Sequence, residues 1–78
     1  MAITPAPRSI SSPLSRRETQ VLGLIAESLS NQEIAERMFI STSTAMKHVE
    51  HIFEKLGVNR RMEAVRVARQ SGWLPSDA

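Results

Sequence analysis

The 78-residue chain contains no cysteine and no tyrosine, and it has only one tryptophan and two phenylalanines. The absence of cysteine excludes a disulfide framework and a thiolate zinc site, and it fits a reducing cytoplasm, where we expect the protein to work. Because aromatic residues make up only 4% of the chain, one modest core must be built from Leu, Ile, Val, Met and Ala. Helices pack such residues well, whereas a small β-barrel usually carries more aromatic and β-branched side chains.

Long apolar runs and a strong excess of one charge are absent as well. No run approaches the roughly 20 residues that a membrane span needs, so no membrane contact is predicted. The net charge is +2 in total, made up of +1 over residues 1–13, −1 over residues 14–58 and +2 over residues 59–78. A nucleic-acid-binding domain often shows a clear basic stripe. Charge alone is therefore weak evidence for such binding, and the function must be argued from architecture and motifs.

Three prolines and three serines mark residues 1–13. Such a segment buries little surface and is typical of a flexible linker. A frayed terminus would look the same, but we expect the end of a tether that joins an upstream sensor domain to residues 14–78. The segment contains no hydrophobic signal core, so secretion is not predicted.

Apolar residues at helical spacing predict an all-α fold, a four-helix bundle. The predicted helices run over about residues 16–29, 31–38, 42–56 and 60–71. Ser15 with Glu18, and Ser30 with Glu33, have the spacing of capping boxes at the starts of the first two helices. Asn59 is a possible cap of the last helix. Glycines follow the third and fourth helices, where they are common terminators.

The second and third helices, with the short turn between them, form the unit that bears on function. The third helix places Ala45, Val49 and Ile52 on one face at ~100° per residue. The opposite face carries Ser43, Lys47, Glu50, His51 and Glu54. A helix with one buried face and one polar face can enter the major groove of DNA while the preceding helix crosses the backbone. Many small helical bundles share this pattern, so it is only moderately specific.

Five sequence motifs in a fixed order carry a family resemblance. They read LSRRE-x-x-VL from Leu14, LSNQEIA from Leu29, IS-x-x-T-x-x-x-H from Ile40, KLGV from Lys55 and R-x-x-AV from Arg61. In this order they resemble the LuxR/FixJ-type helix-turn-helix family of bacterial transcription regulators, over roughly residues 14–72. The resemblance implies a four-helix DNA-binding domain whose third helix reads DNA and whose fourth helix supports dimerisation.

The expected partners follow from the same resemblance. It implies binding to double-stranded DNA as a homodimer, attachment to an upstream receiver, ligand-binding sensor or large ATPase regulator, and contact with RNA polymerase. No cofactor is expected. The sequence shows no nucleophile with a matching base and no Gly-rich phosphate loop, so an enzyme is not predicted. His48, His51 and Glu54 have no converging ligand elsewhere, so no metal site is predicted.

The resemblance and the helical faces together give the candidate site residues. Those predicted to contact DNA are Ser43, Thr44, Met46, Lys47, Glu50 and His51 in the third helix and Asn31 and Gln32 at the start of the second. Those predicted at the dimer surface are Ala64, Val67 and Ser71. Small side chains there would let two copies of the last helix approach closely in a two-fold contact.

The chain departs from the family at three positions. Met46 stands where a lysine is usual, with Lys47 one position later, and we interpret Lys47 as the groove contact. Glu50 stands where several relatives are basic; it either accepts from a cytosine amino group or only opposes phosphates. Met46 either packs at the core edge beside Phe53 or touches a thymine methyl. Ser28 replaces the usual glycine at the end of the first helix.

Glu18 falls on the apolar side of the first helix. A buried carboxylate must be paired, and we expect Arg61 or Arg37 as the partner. This residue is therefore interpreted as structural.

A second function remains open at this point, namely a degenerate helix-turn-helix used as a protein-interaction module. The weak charge and Glu50 favour it, whereas the long motif match and Lys47 favour DNA binding. Salt-dependent binding of duplex DNA would separate the two functions.

Overall fold

The computed structural model describes residues 12–74, which form four α-helices and no strand. The helices are α1 Arg16–Ala26, α2 Asn31–Met38, α3 Thr42–Leu56 and α4 Arg61–Gln70. The predicted all-α class is therefore confirmed, and α2 and α3 have the predicted bounds. The linker predicted over residues 1–13 lies outside the described residues, apart from the exposed Ser12 and Pro13.

Reciprocal hydrogen bonds fix the first turns of α1 and α2. Ser15 Oγ accepts from the Glu18 N–H at 3.1 Å, and Glu18 Oε1 accepts from the Ser15 N–H at 2.8 Å. Ser30 and Glu33 repeat this exchange at 3.2 and 2.8 Å. Both predicted capping boxes are thus confirmed, and each satisfies two backbone donors at its helix start.

Helix α1 ends at Ala26, three residues before the predicted end at Leu29. Ser28 has a φ of +69°, in the left-handed region. Its N–H donates to the Ile25 carbonyl, and the Leu29 N–H donates back to the Leu24 carbonyl. This is a Schellman motif, which reverses the chain direction. The apolar spacing continues to Leu29 because that side chain packs on the core after the helix has ended.

The other three helices end in the same left-handed motif. The left-handed residue is Phe39 after α2, with a φ of +58°, Gly57 after α3, with +69°, and Gly72 after α4, with +81°. Glycine adopts this conformation without steric cost, whereas for a residue with a Cβ it costs roughly 1–2 kcal/mol of conformational free energy. Two of the four helix ends, at Ser28 and Phe39, are therefore strained.

Helix α4 is one residue shorter at each end than the predicted range 60–71. Its N-cap is Arg60, which makes no side-chain capping bond, so the prediction of Asn59 as the cap is wrong. Its first turn is instead tied to α2, because Arg61 Nη2 donates to Asn31 Oδ1.

The core lies between the four helices, and α1 and α3 each pack against all three others. The buried hydrophobic residues are Leu14, Val21, Leu22, Ile25, Ile34, Ala35, Ala45, Val49, Ile52, Ala64, Val65, Ala68 and Leu74. All are aliphatic, as the composition predicts. Phe53 and Trp73 pack against them and stay partly exposed. This packing uses one face of α3 and leaves its opposite face to solvent.

Candidate nucleic-acid interface

The exposed face of α3 is the candidate reading surface. The six residues of α3 predicted to contact DNA are all exposed: Ser43, Thr44, Met46, Lys47, Glu50 and His51. At ~100° per residue, Ser43, Lys47 and Glu50 lie opposite the buried face. The other three lie on the flanks of this stripe. The helix thus presents a continuous polar surface that the core does not use.

Lys47 is the one cation on the central stripe, which also carries Glu50 and Glu54. The stripe therefore has a net charge of −1, and phosphate attraction along it depends on Lys47. Met46, on one flank, is 45% exposed. Its thioether side chain is thus available for apolar contact outside the core.

The N-terminus of α3 is organised by Ser41. Its hydroxyl accepts from the Thr44 N–H at 3.1 Å and donates to Thr44 Oγ1 at 2.9 Å. Because Thr44 Oγ1 accepts this bond, its own proton remains to donate elsewhere. Thr44 therefore presents a positioned donor at the start of the exposed face, suited to a phosphate oxygen.

The start of α2 offers a second set of donors. Asn31 Oδ1 accepts from Arg61 Nη2, which orients the Asn31 amide and leaves its NH₂ group to donate elsewhere. Gln32 is exposed beside it. The first backbone N–H groups of a helix have no partner within the helix. An anion at this point would meet side-chain and backbone donors together.

Glu18 is the one buried charged residue of the described range. Its Oε1 lies 2.8 Å from Lys55 Nζ, and its Oε2 lies 3.8 Å from His51 Nδ1. Burial would raise the pKa of this carboxyl, but hydrogen bonds from Lys55 and Ser15 and the charge of Lys55 outweigh it, so the pKa is lowered. The carboxylate is thus charged and paired inside the fold.

The predicted partners of Glu18 are wrong, although its burial is confirmed. Arg37 Nη1 lies 3.9 Å from Glu27 Oε1 instead, and Arg61 Nη2 donates a hydrogen bond to Asn31 Oδ1. The sequence carried a signal for the true partner, because His51 and Lys55 lie one turn apart on the same flank of α3. His51 therefore stands both at the edge of the candidate reading face and against α1.

Helix α4 differs from the prediction at one residue of the dimer surface. Ala64 is fully buried, so the expectation that it lies at the surface is wrong. The buried arc of α4 consists of Ala64, Val65 and Ala68. Val67 and Ser71 lie beside this arc and are half-buried.

Within residues 12–74, no three His, Cys, Asp or Glu side chains are grouped in a way that would hold a metal ion. None of the four helices has the length and apolar character needed to cross a membrane.

Comparisons with known proteins agree with this geometry. Residues 12–68 match the family described as bacterial regulatory proteins, luxR family. The chain is 46% identical over 59 residues to the HTH-type transcriptional regulator MalT of Serratia proteamaculans (strain 568). That match takes in 76% of this chain and 6% of MalT, so the chain spans a small part of that relative.

Two solved structures are similar to the fold. The response regulator ChrA of a heme-sensing two-component system has a TM-score of 0.77 and 39% identity, over 88% of this chain and 33% of ChrA. The transcription factor GerE has a TM-score of 0.73 and 29% identity, over 80% of this chain and 92% of GerE. The family match covers more than half of the chain and consists of transcription regulators, which confirms that this domain is not an enzyme. The chain belongs to the LuxR family of bacterial regulatory proteins and is a helix-turn-helix DNA-binding domain of that family.

Proposed function

We propose that α3 lies in the major groove of duplex DNA and reads base edges through Ser43, Lys47 and Glu50. The exposed polar stripe of α3, directly after α2 and its short turn, is the observation that carries this proposal. Lys47 has the length and charge to donate to guanine O6 and N7, and Glu50 can accept from the cytosine amino group. Met46, on the flank, is suited to contact with a thymine methyl.

The residues at the helix N-termini position the domain on the DNA backbone. Thr44 presents a hydroxyl proton, and the start of α2 presents the side chains and backbone N–H groups of Asn31 and Gln32. Contacts of this kind fix register without reading sequence. His51 lies on the flank of α3, where its outer edge can approach a phosphate while its inner edge faces Glu18.

Two copies of the domain bind together through α4 when both lie on DNA, whereas the free domain is largely monomeric because this contact is small. Val67 and Ser71 lie at the edge of the buried arc, where a second α4 can cover them in a two-fold contact. Ala64 supports this surface from beneath and does not itself reach the partner. The two α3 helices would then meet half-sites about one helical turn apart, ~10 base pairs.

In the full-length protein, the domain is the output module of a transcription regulator. The chain matches 33% of ChrA, a response regulator, and 6% of MalT. By analogy, residues 1–13 link the domain to an upstream receiver or sensor, and the DNA-bound dimer contacts RNA polymerase.

Titration of a fluorescent duplex at two salt concentrations tests the DNA-binding proposal. Duplexes come from a random library enriched for binding to the full 78-residue chain. The isolated domain is expected to bind weakly, with an affinity that falls as salt is added, because bound phosphates release counterions. Absence of binding at low salt would contradict the proposal and favour a protein-interaction module.

A further inference from the structure

A groove lies on the outer side of α1, where this helix meets the C-terminal end of α2. Gly23, Leu24, Met38 and Phe39 provide its apolar lining, and its volume of about 700 Å³ leaves room for several side chains. Gly23 and Leu24 lie on the far side of α1 from Glu18, which contacts α3. No residue of α3 lines the groove, and we expect a duplex held by α3 to leave it open.

Two residues of this groove, Gly23 and Phe39, are unfavourable for folding, and the packing of the core does not explain either of them. Gly23 lies inside α1, where glycine is among the least favourable residues, and a Cβ at this position would meet nothing within 4 Å. Phe39 has a left-handed φ of +58°, and its side chain is 94% exposed. The fold does not require either residue. Both are explained if the groove must keep an open floor and an exposed aromatic ring.

The rim of the groove is cationic. Arg16 and Arg17 line it, are exposed, and make no ion pair within residues 12–74. Arg37 lies 3.9 Å from Glu27, which is the one carboxylate among the lining residues. Three arginines thus stand against one glutamate, which leaves the groove with an excess of two positive charges.

We propose that this groove binds a protein segment that carries acidic and apolar side chains, such as one face of an acidic amphipathic helix. Apolar side chains of the segment would lie over Gly23 and against the Phe39 ring, while carboxylates would pair with Arg16 and Arg17. A DNA duplex could use the arginines but has no apolar side chains for the floor. The groove adds a protein partner to the domain and does not depend on base reading by α3.

Titration of the ¹⁵N-labelled 78-residue chain with model peptides tests this proposal. One peptide is a helix former with Leu and Phe on one face and Glu on the other, and its matched control carries Lys in place of Glu. Amide shifts are expected to concentrate on the outer face of α1 and around Phe39, with the acidic peptide bound at least about tenfold more tightly. Equal binding of both peptides, shifts concentrated on α3, or no binding at millimolar peptide would overturn the proposal.

Three variants separate the groove from the fold. Phe39→Gly removes the ring and relieves the left-handed strain, so the Tm should rise while peptide affinity falls at least about fivefold. Arg17→Glu should weaken the acidic peptide and strengthen the Lys peptide. Met62→Ser, which truncates an exposed apolar side chain of α4, should change neither affinity.

Two other occupants of the groove are distinguished by the same variants. If duplex DNA shifts the groove amides and Phe39→Gly weakens DNA binding, the groove is a DNA contact and the proposal fails. If sedimentation shows self-association that Phe39→Gly abolishes, the occupant is a second copy and the proposal also fails. Unchanged DNA binding and a monomeric peptide-free chain, together with loss of peptide binding, are the expected results.

Discussion

Lys55 Nζ lies 2.8 Å from Glu18 Oε1, which ties the C-terminal half of α3 to the first turn of α1. The same carboxylate oxygen accepts the Ser15 N–H of the α1 capping box. His51 Nδ1, 3.8 Å from the other oxygen, adds a second cation from α3 when it is protonated. Glu18 thus joins a helix start to a helix–helix contact, and it helps to fix the direction in which the exposed face of α3 points.

Glu18→Ala is expected to lower the free energy of unfolding by about 2 kcal/mol at neutral pH, since the cap and the bond from Lys55 are lost together. Glu33→Ala is the matched control, because Glu33 caps α2 but is exposed, and within residues 12–74 it makes no ion pair with another helix. It should cost only about 0.5–1 kcal/mol. Urea unfolding measures both values. Equal losses would show that the Lys55 contact contributes nothing.

The contribution of Glu18 is also expected to depend on pH. Burial alone would raise its pKa, but the bonds from Lys55 and Ser15 hold the pKa below the ordinary 4.5. Because the pKa is lower in the folded state than in the unfolded state, the stabilisation is complete above 4.5 and is lost as pH falls through the folded-state pKa. The stability difference between the wild type and Glu18→Gln should therefore shrink in acid. A difference that stays constant from neutral to strongly acidic pH would contradict this.

Ser28→Gly is expected to raise the free energy of unfolding by roughly 0.5–1 kcal/mol, because Ser28 has a φ of +69° and glycine tolerates that conformation. Gly57, with the same φ at the end of α3, provides the reciprocal control. Gly57→Ser should destabilise by a similar amount. Thermal unfolding of both variants is the measurement, and a Ser28→Gly variant no more stable than the wild type would contradict the assignment of strain.

The features that sequence predicted well are those set by local spacing. The two capping boxes depend on residues three positions apart, and the exposed face of α3 follows from the helical period. The family resemblance also depends on local motifs, and the family match over residues 12–68 confirms it. The sequence shows that Ser28 departs from the usual glycine, but it does not predict the hydrogen bonds to the Leu24 and Ile25 carbonyls that end α1 early.

The features that sequence missed depend on how helices meet. Lys55 was not predicted as the partner of Glu18, because a helical face does not say which neighbour packs on it. The prediction that Ala64 lies at the surface is wrong, because spacing along α4 does not say how wide an arc its neighbours bury. Helix α4 packs against both α1 and α3, as the sequence indicates, and this packing buries Ala64 together with Val65 and Ala68.

Val67→Glu is expected to leave thermal stability nearly unchanged and to abolish cooperative binding to a duplex with two half-sites. Val67 lies at the edge of the buried arc, where a second α4 would cover it, and a carboxylate there would repel its own copy. Met62→Glu is the matched control, because Met62 is 62% exposed on another face of α4. Electrophoretic mobility shifts measure cooperativity. Cooperative binding by Val67→Glu would show that this part of α4 is not the dimer surface.

We expect site selection from a random duplex library to show that the exposed face of α3 reads DNA sequence. The wild type, Lys47→Ala, Glu50→Ala and Glu36→Ala are compared, the last being an exposed carboxylate of α2 outside the predicted contacts. Lys47→Ala should lose about 1–3 kcal/mol on the selected site and relax the preference at one or two base pairs of each half-site. Glu50→Ala should relax a different position, and Glu36→Ala should select the wild-type site. Identical selected sites for all four proteins, with all four folded, would contradict base reading by α3.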